Sequence, residues 1–587
     1  MRRWYAAGDA RLWCVTGAVA VGSSGVLGLL ARRGSWYADD LDFLIVGARG
    51  FGVEDLLTPV NDHLAPGLRA TYALFAWAAP LNYDFTVVLR GLLWAAAVML
   101  MAALLQRLYG RGGLTVVGTV FYALSPLSMP SFMSLSSAVN NLPAHVLGLV
   151  FLHCTLDWRE RGRNPSLVAA ACSLLASMLF WEKSALIVLS GAALLLSRDS
   201  TSDERKVHRW WRWAAACTVA GAAFAILYVS RGGPSPSDPP SFARATMLWA
   251  ESLWHTLAPV VAGGPLTWAA KFPPSFGLAS PPWVVSAAGT IVAAGLVGVC
   301  VLRDRRALWW WAALVGYSVA TVAVVGYGRF ATFGSVFTRH LHYWSDASVP
   351  LTLAVVASLA LVPPARFPVV RRATCTGLAL AWLLAVGASN LHFGQLWATN
   401  PAKDYTRNLT SSLRDRGAVN LWDTLVPDRI LPLSDNRSVP AVARLISRDV
   451  EVQDPSSDPL LVRDDGAITA SRLQVWGRST NGADCRYLLK GTGSVTVPLD
   501  QPVPSGYWYF RIGYLANPDT TVDVTAVGDS GKVALVSGSP TWPAGLGTAY
   551  LRAARTGDIR YVVVSTREPR TNLCIGDITV GVPEPAP

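Results

Sequence analysis

Eleven apolar stretches, each close to the length of a membrane-spanning helix, follow one another over the first two thirds of this 587-residue chain. A helix rises about 1.5 Å per residue, so about 20 apolar residues cross a hydrocarbon core roughly 30 Å thick. Of all residues, 52% are hydrophobic and 15% are charged, whereas soluble domains have roughly 25% charged residues. The sequence therefore excludes a soluble or disordered protein and predicts a polytopic α-helical membrane protein. Its predicted helices lie near 12–31, 85–106, 113–129, 142–157, 166–181, 184–197, 213–230, 283–301, 307–326, 348–363 and 373–389.

Basic residues between the stretches predict the orientation. They fall on one side of the predicted membrane, which the positive-inside rule makes the cytoplasmic side. They are Arg2, Arg3, Arg107, Arg111, Arg159, Arg161, Arg163, Arg198, Arg205, Lys206, Arg209, Arg212, Arg303, Arg305, Arg306, Arg366, Arg371 and Arg372. The first residues are then inside the cell, and everything after about residue 390 is outside. The net charge of +12 fits anionic lipid at these helix ends, and no nucleic-acid partner is expected.

The stretch 166–197 is the one assignment that needs a choice. As a single helix it is about 48 Å long, too long for a core of roughly 30 Å. Basic loops flank both of its ends, so an even number of crossings is required. Glu182 and Lys183 are therefore predicted to lie in an outer turn between two short helices.

The last third of the chain has a different pattern. Short alternating segments such as 494–497, 507–512 and 561–564 are separated by Gly-, Asn- and Asp-containing turns, which is typical of a β-sandwich. We predict a transmembrane domain over 1–395 with a first outer loop at 32–84, a mixed and largely helical connector over 396–450, and an extracytoplasmic β-sandwich over 451–587. Outside the cytoplasm, Cys485 and Cys574 are expected to form a disulfide between the first and last strands of the sandwich.

Four aromatic residues of the predicted sandwich have two interpretations. Core and cross-strand packing is favoured for Trp476, Tyr507, Trp508 and Tyr509. A sugar-stacking surface is the alternative, because aromatic faces suit the apolar face of a pyranose. The sequence thus leaves open whether this domain is carbohydrate-binding or structural.

The chemistry points to the first outer loop, where Trp36-Tyr37-Ala38-Asp39-Asp40-Leu41-Asp42 directly follows the first predicted span. Apolar residues after this pair favour an amphipathic helix in the membrane interface. Neighbouring carboxylates raise one another's pKa, and each is able to act as a base or to bind a metal. Further along the loop, Asn61-Asp62-His63-Leu64-Ala65-Pro66 adds a carboxylate and an imidazole.

This layout resembles the GT-C superfamily of membrane glycosyltransferases, which take sugars from polyprenyl-phosphate donors. The shared features are an inside N-terminus, an acidic pair in a long first outer loop, a nearby His-x-x-Pro element and about eleven spans. The outer β domain is similar to that of actinobacterial arabinofuranosyl- and mannosyltransferases. The specific motifs lie within residues 36–67.

The resemblance implies an inverting transfer from a polyprenyl-phosphate sugar to a cell-envelope glycan or glycolipid at the outer face of the plasma membrane. Asp39 or Asp40 is expected to be the general base, with Asp40 preferred. Asp62 and His63 are expected to orient the acceptor, or to bind a divalent cation (Mg, Mn or Ca) together with Asp39 and Asp40. Versions with and without metal both stay open. The candidates for binding the donor phosphate are Lys183, Arg329, Arg339 and His340.

A plainer role stands beside each of these. The acids suit a helix N-terminus through its dipole, Asp62 is a typical capping residue, and His63 suits the interface. Lys183 is able to pair with Glu182 or to extend toward the interface. For Arg329, Arg339 and His340, contact with a lipid headgroup is at least as well supported as phosphate binding.

Three other functions compete with this one. A flippase or transporter for lipid-linked sugars places charges within its spans and often has inverted repeats; no repeat is seen, and Arg90 is an exception among spans with few charges. A non-catalytic envelope assembly protein depends on aromatic residues such as Trp508, and not on the acidic pair. A polymerase or ligase with a lipid-pyrophosphate donor depends on Arg329, Arg339 and His340 instead.

Overall fold

A computed structural model describes residues 2–59, 63–197, 204–232, 239–270, 277–362, 368–431, 437–480, 485, 487–528, 531–536, 541–556 and 558–587. The chain divides into two compact units, Met1–Asn400 and Pro401–Pro587. The sequence placed the end of the membrane part at 395, five residues before this division.

The first unit is built from helices. Its α-helices are Arg2–Ala31, Asp39–Gly47, Val53–Leu57, Pro66–Ala78, Tyr83–Tyr109, Gly113–Leu124, Met129–Met133, Leu135–Arg161, Asn164–Met178, Ile187–Leu196, Glu204–Ser230, Phe242–Ser252, Ala258–Val261, Trp283–Arg303, Leu308–Phe333, Ser348–Ala360 and Pro368–Trp397. Its 3₁₀ turns are Pro126–Ser128, Glu182–Leu186, Arg305–Ala307, Gly334–Arg339 and Leu341–Ala347. A π-helical turn covers Leu253–Leu257.

Within the described residues, eight helical segments are long and apolar enough to cross a membrane, by length and composition. They are Ala10–Ala31, Tyr83–Tyr109, Gly113–Met133, Leu135–Arg161, Val207–Ser230, Trp283–Arg303, Arg305–Arg339 and Thr374–Trp397. Each coincides with a predicted span, so the unit has the make-up of a multi-pass membrane protein. The other three predicted spans form helices of 15, 10 and 13 residues. These are shorter than the usual crossing length, and the count of eleven stays a prediction.

The chain does break where Glu182 and Lys183 predicted a turn. Helix Asn164–Met178 ends before them, the 3₁₀ turn Glu182–Leu186 follows, and helix Ile187–Leu196 begins after it. Gly67 of the first loop donates its backbone N–H to Leu179 O at 2.9 Å. The turn is therefore attached to the first loop, which positions both for a common site.

The second unit begins with helix Ala402–Arg416 and contains one further short helix, Val439–Ala443. Its strands are β1 Val419–Leu421, β2 Val450–Val452, β3 Leu461–Val462, β4 Ile468–Thr469, β5 Ser471–Arg478, β6 Tyr487–Lys490, β7 Gly493–Val503, β8 Gly506–Asn517, β9 Thr520–Thr521, β10 Asp523–Gly528, β11 Gly531–Val536, β12 Thr541–Trp542, β13 Gly545–Thr556, β14 Ile559–Thr566 and β15 Asn572–Pro585.

Nine of these strands form one sheet that folds over itself. The order is β5-β15-β8-β13-β11-β10-β14-β7, and β6 also pairs with β15. Side chains from both ends of this order, such as Phe510 and Ile578 on one layer and Val497 and Val562 on the other, belong to one buried core. This is the predicted β-sandwich.

The predicted disulfide joins Cys485 and Cys574, whose Cα atoms are 5.3 Å apart. Cys574 lies on the last strand, as expected. Cys485 precedes β6 and does not lie on the first strand of the sheet, because β5 comes before it. The bond thus ties a loop to the last strand.

The four aromatic residues divide between the two interpretations. Trp508 and Tyr509 are 9% and 4% exposed, as core packing predicts. Trp476 and Tyr507 are 47% and 45% exposed. Trp508 packs on Trp476 with ring centroids 5.7 Å apart.

Removing the disulfide is expected to destabilise the second unit. The bond closes a sequence separation of 89 residues, and loop-closure entropy for such a loop corresponds to about 4–5 kcal/mol. In the full chain carrying Cys485→Ser and Cys574→Ser, protease resistance of this unit should be lost about 10 °C or more below the wild-type temperature. Cys172→Ser, which changes a free cysteine, is the control. Equal resistance of all three proteins contradicts the prediction.

Candidate active site

The acidic pair opens helix Asp39–Gly47, eight residues after the first membrane helix ends at Ala31. Leu41 and Leu44 are fully buried on its inner side, which accounts for the predicted amphipathic pattern. Ala38, just before the pair, has a φ of 50°, a left-handed conformation that is uncommon for a residue other than glycine. The two neighbouring carboxylates consequently enter different surroundings: Asp40 is 0% exposed, whereas Asp39 is exposed.

Asp40 is held by three donors. Its Oδ1 accepts hydrogen bonds from the Tyr72 hydroxyl at 2.9 Å and from the backbone N–H of Ser136 at 2.7 Å. Its Oδ2 accepts from the backbone N–H of Tyr37 at 3.1 Å. Burial raises the pKa of Asp40 to about 6, although the three hydrogen bonds oppose the rise. A carboxylate occupied in this way is poorly placed to take a proton from a substrate.

Ser136 gives Asp40 a structural role that the sequence did not reveal. Helix Leu135–Arg161 begins seven residues before the predicted start at 142, so Ser136 lies in its first turn. The preceding Ser134 does not cap this helix with its own side chain. Asp40 supplies the acceptor from a loop 96 residues away in sequence, and carboxylates are favoured at helix N-termini. The Ser134-x-Ser136 pattern signals a helix start, but nothing local signals its partner.

Asp39 is the accessible carboxylate. In the part of the chain that the structure describes, its side chain accepts no hydrogen bond. Burial by the surrounding protein raises the pKa of Asp39, and the charge of Asp42 adds to the rise, while Arg329 and His63 oppose it. Asp39 is thus an exposed carboxylate whose pKa is raised mainly by burial and adjusted by neighbouring charges.

His63 links two charged residues beside Asp39. Its Nε2 is 2.6 Å from Nη2 of Arg329, and its Nδ1 is in direct contact with Oε1 of Glu182. Arginine only donates hydrogen bonds, so Nε2 accepts and Nδ1–H donates to Glu182. Burial acts to raise the pKa of Glu182, but His63 and Arg329 outweigh it and the pKa is lowered. The chain Glu182–His63–Arg329 therefore fixes the guanidinium near Asp39.

Lys183 directly follows Glu182 in the sequence and is 3% exposed. Its Nζ donates to Asp346 Oδ1 at 2.8 Å and to the backbone oxygen of Tyr343. Its partner is Asp346 and not the adjacent Glu182. Burial lowers the pKa of Lys183, and Asp346 opposes this. A cation so enclosed stabilises segment Leu341–Ala347 and is poorly placed to touch a phosphate.

Arg329 and His340 have more open positions than Lys183. Helix Leu308–Phe333 extends past residue 326, the predicted end of this span, and carries Arg329 near its end. His340 and His342 meet through their Nδ1 atoms, and the rings contact Tyr343. Burial lowers the pKa of His340 to about 4.

Arg339 has different partners from the other candidates for binding the donor phosphate. It forms an ion pair with Glu251 at 2.8 Å and lies 3.3 Å from His255 Nε2. The structure thus joins His63 and Arg329 by a direct contact, and the charge of Arg329 acts on Asp39. Lys183 and His340 both contact Tyr343. Asp62 lies outside the described residues.

The predicted divalent-cation site includes Asp62, which lies outside the described residues. Among them, no three His, Cys, Asp or Glu side chains are arranged to hold a metal ion. Asp40 is occupied by its three donors, and both ring nitrogens of His63 are engaged. The residues Asp39, Asp40 and His63 therefore do not fit a metal in this arrangement, and no step proposed below passes through one.

The Tyr72–Asp40 hydrogen bond yields a pH-dependent prediction. Because this bond lowers the pKa of Asp40, it is stronger with the charged carboxylate. Tyr72→Phe should cost about 1.5–3 kcal/mol of stability at pH 7.5, and clearly less at pH 5, where Asp40 is protonated in both proteins. Thermal unfolding of the detergent-solubilised chain at the two pH values measures this.

Asp40→Asn is the matched background for this experiment, because an amide does not titrate. In that background the loss from Tyr72→Phe should be the same at both pH values. An equal loss at both pH values in the wild-type background contradicts the prediction.

Comparison with known proteins gives structural similarities only. No protein-family model and no curated protein matches the chain. The arabinofuranosyltransferase AftD from Mycobacteria matches over 96% of this chain and 58% of its own, at 12% identity and a TM-score of 0.38. A mutant structure of AftD matches over 96% and 61%, at 13% identity and a TM-score of 0.38. The chain thus spans about three fifths of the length of these proteins.

Two other solved structures cover about three quarters of the chain. ArnT from Cupriavidus metallidurans, bound to undecaprenyl phosphate, matches over 76% of this chain and 85% of its own, at 13% identity and a TM-score of 0.30. The oligosaccharyltransferase of Archaeoglobus fulgidus, in complex with zinc and sulfate, matches over 73% and 62%, at 10% identity and a TM-score of 0.37. The values are too low to transfer a residue, a substrate or a reaction to this chain.

Proposed function

We propose that this chain is an integral membrane glycosyltransferase. It transfers a sugar from a polyprenyl-phosphate donor to a cell-envelope glycan or glycolipid at the outer face of the plasma membrane, with inversion. The observation that carries the proposal is Asp39, an exposed carboxylate whose pKa is raised by burial and lowered in part by the charge of Arg329. Asp39 lies in the loop that directly follows the first membrane helix.

Asp39 replaces Asp40 as the general base in this proposal. An acceptor hydroxyl must lose its proton as its oxygen attacks the anomeric carbon, and the carboxylate that takes the proton must be within reach. Asp39 is exposed, whereas Asp40 is fully buried. A raised pKa also makes Asp39 a stronger base than an ordinary aspartate, which suits proton transfer near neutral pH.

Arg329 is the candidate for stabilising the leaving phosphate. The bond from the anomeric carbon to the phosphate oxygen breaks as the new glycosidic bond forms, and the departing charge needs a positive partner. Arg329 is half-buried, and its guanidinium is held by His63. The lipid tail of the donor keeps the phosphate at headgroup level, where a residue at the end of a membrane helix is expected to lie.

The competing functions find less support. A non-catalytic glycan-holding protein was expected to depend on Trp508, but this side chain is 9% exposed and its indole N–H donates to Pro504 O at 2.7 Å. A transporter was expected to carry charges in its spans; there Arg90 is enclosed and bound to backbone oxygens. Neither arrangement leaves these side chains open to a ligand.

Asp39→Asn is expected to lower kcat by about 10²–10⁴-fold, the usual contribution of a general base. Its thermal unfolding midpoint should stay close to wild type, because the side chain is exposed. The assay uses the purified chain in lipid nanodiscs with a panel of radiolabelled polyprenyl-phosphate pentoses and hexoses and an envelope glycan acceptor.

Glu54→Gln is the control for this variant. Glu54 belongs to the same loop, and its side chain is 82% exposed in an ion pair with Arg231. It tests the loss of a carboxylate charge from the loop without touching the site, and its activity should stay near wild type. Full activity of Asp39→Asn would falsify the mechanism.

The pH profile of kcat/KM, which reports the pKa values of the free enzyme, provides a second test. A general base works only when deprotonated, so activity falls as pH drops through the pKa of Asp39. Because Arg329 lowers this pKa, Arg329→Gln should shift the acidic limb of the profile to higher pH. Arg339→Gln, whose guanidinium pairs with Glu251, should leave the limb in place. A limb that does not move in Arg329→Gln, or moves equally in both variants, contradicts the assignment.

A further inference from the structure

Arg90 is a buried cation inside the membrane helix Tyr83–Tyr109, and it is 2% exposed. Taking a guanidinium out of water is costly, so a residue of this kind within a membrane helix marks a functional site by default. Arg90 is not part of the site described above. Its contacts show what holds it in place.

The guanidinium of Arg90 donates hydrogen bonds to one short backbone segment. Nη1 donates to the backbone oxygens of Phe132 and Met133, at 2.9 and 2.7 Å. Nε and Nη2 donate to Thr86, at 3.2 Å to its backbone oxygen and 3.1 Å to its hydroxyl. The guanidinium also lies over the Tyr83 ring, 4.9 Å from its centroid. Arg90 therefore anchors the end of helix Met129–Met133 to the second membrane helix.

The anchored segment leads directly to Asp40. Ser134 donates its N–H to Pro130 O at 3.1 Å, which closes the short helix. Two residues later the N–H of Ser136 binds the Asp40 carboxylate at 2.7 Å. Asp40 in turn accepts from Tyr37 N–H, and Asp39 is the residue directly before Asp40 at the helix start. A continuous path of hydrogen bonds and short peptide segments thus joins Arg90 to the proposed base.

Arg90 and Asp40 also interact electrostatically across this path. They do not touch, yet the positive charge of Arg90 lowers the pKa of Asp40. A buried cation and a buried anion compensate each other across the segment that separates them, and each has its own hydrogen bonds. Loss of Arg90 consequently weakens both the position of Ser136 and the charged form of Asp40.

We propose that Arg90 is a positioning residue for the glycosyl transfer: by holding the carbonyl groups of Phe132 and Met133, it fixes the Ser136–Asp40 contact and thereby the place of Asp39. The inference rests on the proposed function, with Asp39 as the base. Arg90 touches neither donor nor acceptor, so it acts on the rate of the chemical step and not on substrate binding.

The test compares three substitutions in the full chain, in nanodiscs and with the assay described above. Arg90→Met should lower kcat about 100-fold, the cost of a misplacement of about 1 Å, with KM for the donor unchanged within about twofold. Arg90→Lys keeps the charge but loses the planar fork, and should lose about tenfold. Thr86→Val leaves the carbonyl contacts of Arg90 intact and should stay within about threefold of wild type.

Combined substitutions distinguish the proposed positioning role of Arg90 from a merely structural role. If Arg90 acts through the base, Arg90→Met should cause no further loss of kcat in the Asp39→Asn background, because residues that act as a unit are not additive. If Arg90 only supports the fold, the two losses multiply, and the inference is overturned. Unchanged kcat in both Arg90 variants overturns it as well. Should Arg90→Met fail to fold, Arg90→Lys is combined with Asp39→Asn in its place.

The same experiment keeps the two proposals apart. Full activity of Asp39→Asn rejects the proposed mechanism whatever Arg90 does. Loss of activity in Asp39→Asn, with wild-type kcat in Arg90→Met and Arg90→Lys, rejects this inference alone.

Discussion

The carboxylate of Asp40 at the start of helix Leu135–Arg161 is the interaction on which the site depends. A buried carboxylate is unfavourable unless it is hydrogen-bonded, and here two backbone N–H groups and one phenol satisfy it. Those donors come from the first loop, from helix Pro66–Ala78 and from the start of a long membrane helix. The requirement to pair one charge thus joins three parts of the chain at one point.

Two adjacent aspartates thereby receive different tasks from their surroundings. Asp40 faces inward and is occupied, whereas Asp39 faces solvent near Arg329 and His63. Environments that separate neighbouring titratable groups are a recurring way of dividing structural and chemical roles. The same division holds among the cations: Lys183 is enclosed with Asp346, whereas Arg329 is only half-buried.

Local sequence patterns predicted what depends on local structure. The lengths of the apolar stretches predicted the eight long membrane segments. The charged pair Glu182-Lys183 predicted the break between two short helices. The alternation of apolar and polar residues predicted the β-sandwich. The choice between Asp39 and Asp40 could not be predicted, because it depends on Ser136, which is 96 residues away. Likewise Lys183 pairs with a residue 163 positions later and not with its neighbour. Contacts between distant segments leave no periodicity in the sequence.

In the proposed mechanism, the position of Arg329 also couples donor binding to proton transfer. In the free protein the guanidinium lowers the pKa of Asp39. In the proposed complex the donor phosphate carries negative charge to Arg329 and cancels part of this effect. Opposite charges lower and like charges raise the pKa of a carboxyl group, so the pKa of Asp39 rises when the phosphate binds. The carboxylate then becomes a stronger base at the stage when an acceptor hydroxyl has to be deprotonated, and this coupling needs no movement of the chain.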